Sequence, residues 1–100
     1  MPHTPLVVHF TQEGCRFLTG PPVRGTPPLS EELRAPIRRA QQKTPDAALR
    51  CAVPMLRVHA YELLGYLSMV SATLQALDPQ HQICRDCLAS LELAIRMSES

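Results

Sequence analysis

The segment HQICRDC places His81, Cys84 and Cys87 three residues apart each time. Histidine and cysteine together are zinc-donor chemistry, and two cysteines at this spacing can also form a redox dithiol. Zinc needs convergent donors, and on one helix His81 and Cys87 diverge by about 120° around the axis. A second pair would have to come from Cys15, Cys51 or His59 by tertiary approach. A redox dithiol of the thioredoxin type follows a strand and opens a helix, which lowers the pKa of its first thiol. No strand is expected before Cys84, which lies more than one turn inside the expected helix. The pair therefore reads as two core cysteines, with a small zinc-binding or thiol redox protein as the alternative.

Other chemistry is sparse. His59 beside Tyr61 and Glu62 could form an acid–base pair, but on a helix flank it reads as an interface or core-edge histidine. The chain has no His-x-Glu segment of a zinc deaminase, no phosphate-cradling glycine loop and no paired carboxylates. No catalytic residue, no metal and no cofactor is expected, and the chain is read as a non-enzyme.

Ten Lys and Arg against nine Asp and Glu leave a net charge of +1. That gives no electrostatic footprint for nucleic acid or an anionic membrane. The start, MPHTPLVVHF, lacks the basic lead and long apolar core of a secretory signal, so a cytoplasmic protein with reduced thiols is expected.

Several elements would have to position these residues. PLVVHFTQEGCRFL reads either as a weak hairpin turning at Glu13-Gly14 or as an extended arm. TGPPVRGTPP is a proline-glycine linker. Residues 1–28 thus form an N-terminal arm and linker, expected to engage a partner by adding a strand to an exposed sheet edge. Residues 29–100 form a helical dimerisation and interaction domain. Within it, Ser30 caps a helix carrying Leu33, Ile37 and Ala40, which Pro36 should break or kink. Its Arg34, Arg38, Arg39 and Lys43 read as a solvated basic face.

Thr44-Pro45-Asp46 then opens a long helix, with Leu49, Val53, Leu56, Ala60, Leu63, Leu67, Val70, Leu74 and Leu77 at heptad spacing and a kink at Pro54. Asp78-Pro79 ends it and starts a second helix to about Met97, striped by Cys84, Leu88, Leu91 and Ile95. The fold class expected is all-α: a long kinked helix and a second helix as an αα-hairpin, closing into a four-helix bundle on homodimerisation. Residues 63–77 carry no charge, and one neighbouring helix cannot cover them, so another chain is expected to. The assigned dimer and partner surface is Met55, Leu56, Leu63, Tyr66, Leu67, Met69, Val70, Leu74 and Leu77.

In DAALRCAVPMLRVHAYELLGYLSMVSA, residues Asp46, Ala48, Leu49, Ala52, Leu56, Ala60, Glu62 and Leu63 resemble a group of small helical pseudomonad proteins. The likeness continues in CLASLELAIRM and covers about half the chain. The proline-broken N-terminal third has no counterpart, and Pro54 departs from the pattern. The functional type compared is the quorum-sensing antiactivator QslA, which binds the transcription regulator LasR. The resemblance implies a helical homodimer that inhibits a partner by occupying its dimerisation surface. With the apolar faces, it leads to the expectation of a non-catalytic inhibitor or antiactivator that sequesters a regulatory protein, with no nucleic-acid or membrane partner.

Overall fold

The computed structural model describes residues 5–99. Its elements are β1 (Leu6–Thr11), α1 (Gln12–Thr19), α2 (Glu31–Lys43), β2 (Arg50–Met55), α3 (Arg57–Thr73) and α4 (Pro79–Glu99). The fold is mixed α/β, which overturns the all-α expectation. Strand, helix, helix runs twice, and the halves interlock: α2 packs on β2, α4 packs on β1, and each half's two helices pack together.

β1 and β2 form a two-stranded antiparallel sheet, in register from Leu6 opposite Met55 to Thr11 opposite Arg50. Alternation along each strand sends Leu6, Val8, Phe10, Cys51, Val53 and Met55 into the core, while Val7, His9, Ala52 and Pro54 face outward. An isolated ribbon of this size is marginal, and here the helices cover its inner face.

The N-terminal segment is therefore not the extended arm expected. Its first four residues lie outside the described residues, but β1 and α1 bury Leu6, Val8, Phe10, Cys15 and Leu18. Nor does the chain turn back at Glu13-Gly14. Thr11 ends the strand and caps α1, its Oγ1 accepting from Gly14 N at 2.9 Å, and Glu13 sits at the positive end of the new helix. The expected return strand, Cys15 to Leu18, is helical, and the Thr11 cap gives an acceptor to one of the N–H groups that the helix start leaves unpaired.

The linker makes a turn at Val23–Thr26, with Gly25 in the left-handed region at φ 87°. It lies against α3, where the Tyr66 hydroxyl donates to Pro27 O at 3.0 Å. Ser30 then sits at the N-cap of α2, and Leu33, Ile37 and Ala40 face the core. Pro36 does not break this helix, which continues for 13 residues. It stands in the second turn, where only one intrahelical donor is lost.

The long kinked helix is the second correction. Thr44 closes α2, and residues 45–48 form a turn whose Pro45 and Ala48 carbonyls both accept from Gln12 Nε2, at 3.1 and 3.2 Å. Pro54 stands in β2, on the outward face opposite Val7. Only the part of the heptad from Ala60 to Val70 is helical core. Leu49 and Leu77, at its two ends, are 88% and 97% exposed. In α3 the buried stripe is Ala60, Leu63, Leu67 and Val70, and α4 contributes Cys84, Cys87, Leu91 and Ile95. Much of the uncharged segment is thus covered by its own chain, with α4 on the core side and the linker at Tyr66. Among the described residues no helix is long and apolar enough to cross a membrane.

Candidate functional site

The four cysteines converge on the core, and all are free thiols. Cys51 Sγ donates to Gln12 Oε1 at 3.4 Å, and Cys84 Sγ donates to Leu67 O at 3.3 Å. Cys87 faces Gly14 on α1, where a Cβ would lie 2.8 Å from its sulfur. Burial pushes the Cys15 thiol up to about 12, helped by its hydrogen bond to Cys51 and by the nearby Cys51 and Cys87. Burial likewise pushes Cys87 up to about 12 and raises Cys84. The thiolate is the nucleophile and the metal ligand, and burial of Cys15, Cys84 and Cys87 disfavours it. His81 is half-buried in the first turn of α4. Among the described residues no group of three or more His, Cys, Asp or Glu is placed to hold a metal ion. His59 Nε2 lies 3.8 Å from Glu32 Oε2 of α2.

The surface feature of consequence is an apolar groove of about 1570 Å³. It runs beside β1, between that strand, the start of α3 and the outer side of α4. Nine large apolar residues are exposed among those described, and six of them line this groove: Val7, Leu56, Val58, Tyr61, Leu93 and Met97. Local geometry explains the set. Val7 is the outward residue of an alternating strand. Val58 and Tyr61 lie off the buried stripe of α3. Leu93 and Met97, four apart on α4, share a face adjacent to the Leu91–Ile95 stripe.

Two arginines make the rim cationic. Arg50 and Arg57 border the groove beside His9, and no Asp or Glu is among its described lining residues. Arg50 Nη1 donates to His9 O at 3.1 Å, and Arg57 Nη2 donates to Ser98 O and Oγ at 3.0 and 3.1 Å, which fixes both arginines at the mouth. The N-terminus of α3 adds to the same sign. Its N-cap is Leu56, which makes no side-chain cap bond, and its first turn carries Arg57 but no acid. A helix start ordinarily takes a polar cap and acidic neighbours.

The residues assigned as an interface from sequence fall in different places. Leu63, Leu67, Val70 and Met55 are buried in the chain's own core, and Leu74 and Tyr66 are packed against it. Met69 and Leu77 are exposed outside the groove, and only Leu56 borders it. Val7, Val58, Tyr61, Leu93 and Met97 were not among them. The available signal was that each is a large apolar residue out of phase with its element's buried stripe.

No protein-family model, curated protein or solved structure matches the chain.

Proposed function

We propose that the protein is a non-catalytic interaction module that binds another protein through this groove and works as an inhibitor or antiactivator by covering a surface its partner needs. The observation that carries this reading is the gathering of six exposed large apolar residues around one concave surface. Scattered apolar residues need no explanation, whereas a contiguous patch with a polar rim is what interaction sites present.

The test is site-specific photocrosslinking in the cells that make the protein, with the photoreactive residue at Leu93 in the groove or at Leu49, which is exposed outside it. A discrete adduct is expected from position 93 alone. Adducts of equal yield from both positions, or none from either, would refute the reading.

A further inference from the structure

The chemistry beside the groove indicates what kind of segment enters it. Pro54 of β2 has no N–H, so its pairing with Val7 is a non-hydrogen-bonded one. Alternation then directs the backbone N–H and C=O of Val7 and His9 away from β2, toward β1's outer edge. There the His9 carbonyl accepts from Arg50 Nη1 at 3.1 Å, and an incoming strand would meet the Val7 N–H and C=O and the His9 N–H. Val7 and His9 line the groove, whereas of β2 only Arg50 does. The groove therefore opens along the free edge of β1. The opposite edge of the sheet is blunted by Pro54 and adjoins α2.

We propose that an extended segment of a partner protein adds to this edge as a third strand, with apolar side chains in the groove and carboxylates toward Arg50 and Arg57. The inference rests on the groove being a protein-binding site, as proposed above, and deepens it to a mode and a chemistry. The volume of about 1570 Å³ exceeds the roughly 300–1,000 Å³ of a small-molecule pocket. β1, at six residues, offers an edge of about 20 Å, enough for a short strand. Strand addition takes its affinity from main-chain bonds and its selectivity from alternate side chains, which is what a free edge beside an apolar trough provides. Charge selects against a second copy of this chain. A twofold contact here would bring two sets of Arg50 and Arg57 together, with no carboxylate among the described lining residues to meet them.

The experiment selects random phage-displayed peptides of roughly twelve residues, long enough to span the edge, against the full chain. Enriched peptides are then examined by amide hydrogen exchange on the isotope-labelled protein. The expected winners alternate apolar and acidic residues and slow exchange at the Val7 and His9 amides. Their affinity should fall about tenfold or more when alternate peptide amides are N-methylated, and by a similar factor in Arg50→Glu or Arg57→Glu. Peptides with apolar residues at helical spacing, bound without slowing Val7 exchange, would overturn strand addition and leave the groove reading intact. No enrichment over a folded Leu93→Glu control would overturn both. Self-association that slows Val7 exchange without peptide would give the edge to a second copy and overturn the proposed partner.

Discussion

Replacing Gly14 by alanine sets two effects of known size against each other. Inside a helix, alanine is favoured over glycine by about 1 kcal/mol. The new Cβ, however, would lie 2.8 Å from Cys87 Sγ and 3.1 Å from Thr11 Oγ1. Overpacking a filled core costs roughly 1–3 kcal/mol. Neither neighbour can yield freely. Cys87 is 2% exposed, and a helical backbone disfavours one of its staggered rotamers. Thr11 is held by the capping bond to Gly14 N, a contact of about 1 kcal/mol. We expect Gly14→Ala to lose about 1 kcal/mol net, a fall of roughly 4–8 °C in Tm for a domain of this size. In a Cys87→Ala background the sulfur is gone, and the same substitution should be neutral or gain up to about 1 kcal/mol. Urea unfolding of the four proteins would then give a coupling of about 1–2 kcal/mol. Additive effects, with Gly14→Ala as stable as the parent, would refute the close packing of α1 on α4 and with it the place of residues 6–19 in the core.

Phe10→Ala, at a fully buried strand position, should cost about 3–5 kcal/mol, read as a lowered urea midpoint. An unchanged midpoint would put β1 outside the core. Leu67→Glu places an unpartnered carboxylate at a position with no exposure and should abolish the native circular dichroism signal, whereas Leu93→Glu in the groove should change stability by no more than about 0.5 kcal/mol. The thiols predict a pH dependence. Because the Cys15 and Cys87 pKa values are raised from 9.0 to about 12 in the fold, the unfolded chain releases these protons first. Their contribution is intact below pH 9 and falls progressively as the pH rises from 9 toward 12. A urea midpoint that stays flat through this range would contradict their burial. Native protein at neutral pH should react with a thiol reagent only as fast as it unfolds, and rapid labelling of Cys84 or Cys87 would show the pair to be accessible.

The last helix was legible because its signals agree. Asp78 Oδ1 accepts from Gln80 N at 2.9 Å at the start of α4, and the Cys84–Leu91–Ile95 stripe faces inward as its spacing implies. The Leu33–Ile37–Ala40 stripe located α2 in the same way, with Ser30 at the N-cap position though its side chain makes no capping bond. β2 was illegible for a specific reason. It turns Cys51, Val53 and Met55 inward over only six residues and carries Pro54 on its outer face, while Val53 also fits a heptad running on through Leu56 into α3. A short strand that shares residues with a longer helical period loses in any reading by periodicity. What decides it is pairing with β1, a contact 39 to 49 residues away along the register, which no local pattern records. α1 was lost to an ambiguity of another kind. Glu13-Gly14 is a fair turn signal, but Thr11 two residues earlier is a better cap.

The groove was illegible because it belongs to no single element. Val7 sits on a strand, Leu56 to Tyr61 on the first turns of one helix, and Leu93 and Met97 near the end of another. Each is unremarkable where it stands, since isolated exposed apolar residues are common. Their coincidence carries the meaning, because other departures from local preference meet at the same place. α3 starts on a leucine where a polar cap is favoured, carries an arginine where an acid is favoured, and lies beside a strand whose outer edge is unpaired. Each departure has a modest cost of about 1 kcal/mol or less, and a substitution of Leu56 by serine or Arg57 by glutamate would remove it. An acidic, apolar strand seated in the groove would satisfy all of them together: its carboxylates would meet Arg57 and the helix start, its side chains would cover Val58 and Leu93, and its backbone would pair with Val7. Departures from local consistency that share one remedy are the reason for proposing that this groove takes a strand.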